Sequence, residues 1–194
     1  DSFRDYQLHQ AWTWEHMALC RARPIFGAPA ARAALQAIID QTLEQARDPL
    51  KLRADIVNMR REMAKHKPAK GDLDVKLIPG GLVDLEFIIH LLQLTHRTGI
   101  NPILGQALAA LVGAGLLPTT IIGQHRLLAR MLVTLRLIAP DSNNVPAAAK
   151  PVVARACDKP DWESLLADYD EARQSVAAIW QGFVDQEPES QEQA

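Results

Sequence analysis

The sequence predicts an all-α fold, a bundle of about six to eight helices. Apolar residues recur at helical spacing through most of the 194 residues, and the β-branched alternation of strands is nearly absent. Helix-start signals, a capping side chain followed by proline, recur along the chain at Asp48-Pro49 and Asn101-Pro102. The hydrophobic fraction of 48% suits a globular core.

The first helix is expected from about Phe3 to Arg23, with Ser2 and Asp5 placed as a capping box. Pro24 to Pro29 breaks it, and a second helix follows over Ala30 to Arg47. The third starts at Asp48-Pro49 and reaches about Lys65. "HKPAKGD" reads as a polar loop, and at most one short extended piece is expected, near Asp74 to Ile78. The fourth helix opens near Leu82 and stops at Gly99, a residue that accepts the left-handed conformation of a helix end. Asn101-Pro102 opens the fifth, and Pro118 the sixth, which runs to about Ala139. "APDSNNVPAAAKP" is a turn-rich connection, followed by a short helix near Val152. The last helix, Asp161 to about Val184, carries Trp162, Leu165, Leu166, Tyr169, Val176, Ile179, Trp180 and Phe183 on one stripe. Residues 1–184 form the helical domain, and the acidic 185–194 read as a disordered tail. No internal repeat is present. The chain begins at Asp1, without Met, and is expected to be part of something longer.

Net charge is −2 and unevenly spread: residues 1–70 hold 12 basic and 8 acidic side chains, residues 156–194 hold 2 and 10. The basic excess is modest and aromatics are few, which argues against nucleic-acid binding. No apolar run is long enough to span a bilayer, so no membrane role is expected. Cys20 and Cys157 show no metal spacing and no disulfide framework, which fits a reducing cytoplasm.

Several polar residues interrupt apolar faces. On a wheel of about 100° per residue, Glu15 falls within the face formed by Leu8, Ala11, Trp12, Ala18, Leu19 and Ala22. A carboxylate there needs a partner. Arg53 and Arg60, seven residues apart beside the stripe of the third helix, are the candidates. Such a pair is a structural ion pair, or one arginine also faces nucleotide phosphate in a larger assembly.

"KLIPGGLVDLEFIIH", residues 76–90, combines two glycines with two carboxylates. On a helix Asp84 lies about 160° from Glu86, so the two acids do not converge on a metal. Asp84 sits in the first turn, where unpaired N–H groups and the positive dipole end favour it. Glu86, His90, Gln93 and Arg97 share one polar stripe, expected to face solvent or a partner. Glu86 and His90 are spaced to share a metal, but lack further ligands. Gly80-Gly81 either forms an anion-binding nest or allows a tight turn and close packing. Asp72-Leu73-Asp74 imitates the Asp-x-Asp that holds magnesium in nucleotidyl transferases, but lacks the upstream Gly-Ser element.

"AWTWEHMALCRAR" (11–23), "RADIVNMRREM" (53–63) and "DVKLIPGGLVDLEF" (74–87) together resemble the C-terminal half of glutamine synthetase adenylyltransferase, the bifunctional adenylyl-transferring and adenylyl-removing enzyme. His90 stands where the family usually has Gln, and Ile78 where it usually has Gly. The resemblance implies two polymerase-β-type nucleotidyltransferase units in one longer chain. One moves AMP from ATP, with magnesium, to a tyrosine of glutamine synthetase, and the other removes it by phosphorolysis. PII signal protein and glutamine set the balance. By this resemblance the segment follows the second catalytic core, which is absent here, and is non-catalytic alone, with no cofactor of its own. The expected partners are that core, glutamine synthetase and PII. The interface or nucleotide-proximal candidates are Glu15, Arg53, Arg60, Lys76, Gly80, Gly81, Asp84, Glu86 and His90. Two other readings stand beside it: a pure regulatory module for PII or glutamine synthetase, and the related helical region of a PII uridylyltransferase.

Overall fold

The computed structural model describes residues 2–139 and 144–185, and is all helical over them. Nine α-helices occur among the described residues: α1 (Ser2–His9), α2 (Thr13–Leu19), α3 (Pro29–Leu43), α4 (Pro49–His66), α5 (Leu82–His96), α6 (Leu104–Gly113), α7 (Thr120–Ile138), α8 (Lys150–Ala156) and α9 (Trp162–Val184). None is long and apolar enough to cross a membrane. Residues 186–194, most of the expected acidic tail, and 140–143 of the turn-rich connection lie outside the described residues.

Of the expected capping signals, Asp48 does its work. Asp48 Oδ1 accepts from the N–H groups of Leu50 (2.9 Å) and Lys51 (3.3 Å) ahead of α4. Asp161 accepts from Ser164 N–H at 2.7 Å ahead of α9. The cap expected at Asn101 does not form: α6 starts at Leu104 with Ile103 as its N-cap, and Asn101 accepts from Ile103 N–H at 2.8 Å in the turn ahead of it. Asp48 and Asp161 satisfy N–H groups that a helix start leaves orphaned.

The expected first helix fails. The single helix over residues 3–23 is two helices. Gln10 and Ala11 N–H both return to Tyr6 C=O, closing α1, and Trp12 turns extended at φ −84°, ψ 159°. Glu15, third residue of α2, accepts the Trp12 N–H at 2.8 Å, the glutamate half of a capping box. The extra helix raises the count above the expected six to eight. Near Asp74–Ile78, where at most one extended piece is expected, the described chain makes a tight turn: Leu77 and Ile78 N–H both donate to Asp74 C=O. Ser2 is already helical and Asp5 lies in the first turn of α1, while the residue before them is outside the described ones.

The chain divides into two compact units. One holds the N-terminal residues to Met59 together with Ile89–Leu117, and the other Arg60–Ile88 with the residues from Pro118 onward. In the first, α1 and α2 both pack on α3, and Met17, Cys20, Ile39, Leu43, Ile56, Leu94, Leu108 and Leu111 are buried. In the second, α7, α8 and α9 pack on one another around Ile121, Leu128, Met131, Val153, Leu165, Tyr169 and Val176, all fully buried. Phe87 meets Trp180 edge to face, centroids 6.1 Å apart, so part of the predicted α9 stripe is used as expected.

Candidate functional site

The diglycine turn is built from Asp74 upward. Its carboxylate accepts from Lys70 and Leu77 N–H, each at 3.1 Å, and so shapes the turn that precedes the glycines. Gly81 N–H then donates to Ile78 C=O (2.8 Å), Leu82 N–H to Val75 C=O (3.0 Å) and Val83 N–H to Lys76 C=O (3.0 Å). Gly80 N–H donates to Asp84 Oδ2 at 2.6 Å. The amides that would line an anion nest at the start of α5 are therefore all bound by the protein itself. Of the two readings of Gly80-Gly81, close packing is the one the geometry supports. Gly80 has φ +77°, and a Cβ there would lie 2.1 Å from Arg173 C=O; one on Gly81 would lie 2.6 Å from Val75 C=O.

Asp84 is 3% exposed and Arg60 6%. Arg60 Nε donates to Asp84 Oδ1 at 2.5 Å, and Nη2 to Leu77 C=O at 3.3 Å. Arg60 is therefore the partner of Asp84 and not of Glu15, which corrects that part of the sequence reading. Asp84 does accept a backbone N–H, but from the turn before the helix. Arg173 Nε reaches Pro79 C=O (3.4 Å), and Tyr169 hydroxyl donates to Asp72 C=O (2.9 Å). Burial pushes the Tyr169 phenol up to about 12, so it stays a donor. The result is a clasp in which the buried Arg60 and Asp84 and the half-buried Arg173 find partners within the chain.

Glu15 is only half-buried and is held by local donors, Tyr6 hydroxyl and Trp12 N–H, both at 2.8 Å. It does not sit unpaired inside a core, because the split between α1 and α2 turns it toward its own N-terminus. The carboxylate beside Tyr6 raises that phenol's pKa. Arg53 and Lys76 are half-buried, and Lys76 contributes its carbonyl to the clasp.

The expected solvent-facing stripe on α5 is mostly inside. Glu86 is half-buried and Arg97 exposed, but His90 is 6% exposed and Gln93 fully buried. Gln93 Nε2 donates to Gly99 C=O at 2.8 Å, which leaves its Oε1 to accept from His90 Nδ1 at 2.9 Å. Burial lowers the pKa of His90, which favours the neutral ring. Among the described residues no group of three or more His, Cys, Asp and Glu is placed to hold a metal. Asp72 is exposed and Asp74 is occupied by backbone N–H groups, so the Asp-x-Asp does not fit a magnesium site.

A cleft of about 810 Å³ lies in the first unit. Trp12 and Trp14 line it and are 71% and 54% exposed. Its floor is fixed by Arg47, whose Nη1 donates to Leu43 (3.1 Å) and Gln45 (2.9 Å) C=O and whose Nη2 donates to Thr42 C=O (2.7 Å). These are carbonyls at the end of α3, where a cation is favoured. Arg47 Nη2 also reaches His16 Nδ1 at 3.3 Å, and His16 Nε2 donates to Gln7 C=O at 2.9 Å. Burial lowers the pKa of His16, consistent with a neutral ring that accepts from Arg47. Thr13 hydroxyl donates to Asp55 at 2.7 Å across the cleft, and Asp48 and Lys51 complete a mixed rim. Sequence reasoning placed Trp12 on a buried face. The signal that would have found it is Glu15 three residues on, which marks Trp12 as a helix boundary.

The family model described as GlnD PII-uridylyltransferase matches residues 50–184. The model described as Glutamate-ammonia ligase adenylyltransferase matches residues 1–38. Similar proteins include two named bifunctional glutamine synthetase adenylyltransferase/adenylyl-removing enzyme. The one from Bradyrhizobium sp. (strain BTAi1 / ATCC BAA-1182) is 36% identical over 197 residues, 96% of this chain and 20% of the relative. The one from Rhizobium meliloti (strain 1021) is 38% identical over 196 residues, 94% and 20%. The chain spans about a fifth of the length of these relatives.

Proposed function

We propose, since the chain belongs to the family described as GlnD PII-uridylyltransferase, that it is the helical domain of a glutamine synthetase adenylyltransferase. The observation that carries this reading is the pair of matches: the adenylyltransferase model takes residues 1–38, and relatives bearing that enzyme's name align over 94–96% of the chain. The reading places the domain after the catalytic core that moves AMP from ATP, with magnesium, to a tyrosine of glutamine synthetase. It assigns the domain no chemistry. The acids that would bear chemistry, Asp74 and Asp84, are spent on holding a turn and a buried arginine. Its role is to dock against the core and hold it in the form that receives ATP and glutamine synthetase, in the cytoplasm, under the control of PII.

The helical region of a PII uridylyltransferase is the second reading, favoured by the match over residues 50–184. The test is transfer of labelled AMP, and separately of UMP, by the full-length polypeptide that carries this segment, with glutamine synthetase and PII as acceptors. AMP on glutamine synthetase, abolished when the segment is deleted, is the expected result. UMP on PII would overturn the first reading in favour of the second. AMP transfer by the 194-residue chain alone would overturn its non-catalytic assignment.

A further inference from the structure

All five exposed aromatic residues among the described ones, Phe3, Tyr6, Trp12, Trp14 and Phe26 at 37–95% exposure, lie in the first 38 residues. The exposed large hydrophobic side chains elsewhere among the described residues are aliphatic. The same 38 residues are those that match the adenylyltransferase model, while residues 50–184 match a different one. The exposed aromatic surface is thus confined to the residues that the adenylyltransferase model matches, within a chain that the relatives of that name align with over 94–96%.

We infer that the cleft flanked by Trp12 and Trp14 is the docking face for the nucleotidyltransferase unit of the same polypeptide. The inference rests on the function proposed above and names the surface by which it is exerted. Indoles are costly to leave in water and are enriched where proteins bury surface against one another. The backbone that carries them is anchored: the Trp12 backbone N–H donates to Glu15, and Arg47 and His16 brace the cleft beside it, so little backbone reordering is needed to accept a partner. Asp48, Lys51 and Asp55 around the indoles supply the polar rim that surrounds an apolar centre in a stable interface. The partner face is expected to insert an apolar side chain between the indoles and to present donors to Asp55. Relatives about five times the length of this chain have the polypeptide to supply it. The earlier candidates Arg60, Gly80, Gly81, Asp84 and His90 are buried within the chain, and so cannot form such a face.

Hydroxyl-radical footprinting read by mass spectrometry tests this on the full-length polypeptide carrying the segment and on the 194-residue chain. Leu137, 79% exposed on α7, serves as the internal reference. Oxidation of Trp12 and Trp14 relative to Leu137 is expected to fall about fivefold or more in the full-length polypeptide, as for residues buried in an interface. Equal oxidation in the two samples overturns the inference. Protection that appears only when glutamine synthetase or PII is added, or only on self-association of the 194-residue chain, assigns the cleft to that partner and also overturns it. AMP transfer measured on the same samples separates the two claims. Transfer that needs the segment while both tryptophans remain reactive sinks this inference alone, whereas transfer unaffected by deleting the segment sinks the proposed function.

Discussion

The diglycine turn and the tryptophan cleft invert each other's appearance. "PGGLVDLEF" carries glycines, acids and a helix start, the features of a reactive or phosphate-binding loop, yet its polar groups are turned inward onto Arg60, Arg173 and backbone carbonyls. "AWTWEH" carries an apolar run with one acid, the features of a core helix, yet its indoles stand in the open. The difference comes from where each carboxylate finds its hydrogen bonds. Asp84 reaches backward to a turn and across to another helix, and becomes buried. Glu15 reaches back three residues to cap the start of α2, and Trp12 at that boundary stands exposed.

The comparison is most strained by Asp84→Ala, which strands Arg60 inside the clasp. Loss of one partner of a buried ion pair costs about 3–5 kcal/mol, read as a shifted denaturation midpoint of the 194-residue chain. Gly80→Ala follows, at about 3 kcal/mol, because its Cβ would collide with Arg173 C=O at a backbone φ of +77°. A stable Gly80→Ala protein would show that the close approach is not required. Glu15→Ala, on the other side of the comparison, removes a cap and a bond to Tyr6 in a half-exposed setting, at about 1 kcal/mol. A loss as large as that of Asp84→Ala would mean that Glu15 also serves a buried charge.

The fold class was readable because helical spacing and a cap such as Asp48 are local features, and Asp48 formed the bond expected of it. The pairing of Arg60 was not. Periodicity locates a charge beside a stripe, but the choice between Glu15 and Asp84 depends on which elements approach, and no local spacing encodes that. The stripe at Glu86, His90 and Gln93 misled for a related reason. A polar residue with its own hydrogen-bond partner can be buried, and the partner of Gln93 is a carbonyl six residues away.

A smaller effect concerns pH. His16, His90 and His125 all have pKa values lowered by burial, so the folded chain resists protons that the unfolded chain accepts. Their contribution is complete above the unfolded value of about 6.5 and is lost as pH falls below it. His90→Gln is expected to make the decline in stability below that pH shallower. An unchanged decline would remove His90 from the account.

The central claim is that the clasp supports the fold while the cleft serves the larger enzyme. The most direct measurement is the AMP-transfer rate per folded molecule, with the unfolding midpoint, of the full-length polypeptide carrying Asp84→Asn or Trp12→Ala/Trp14→Ala. The account predicts that the aspartate variant loses stability but keeps its rate while folded, and that the tryptophan pair keeps this domain's midpoint and loses transfer. A fully stable Asp84→Asn enzyme that no longer transfers AMP, beside a tryptophan variant that does, would contradict it.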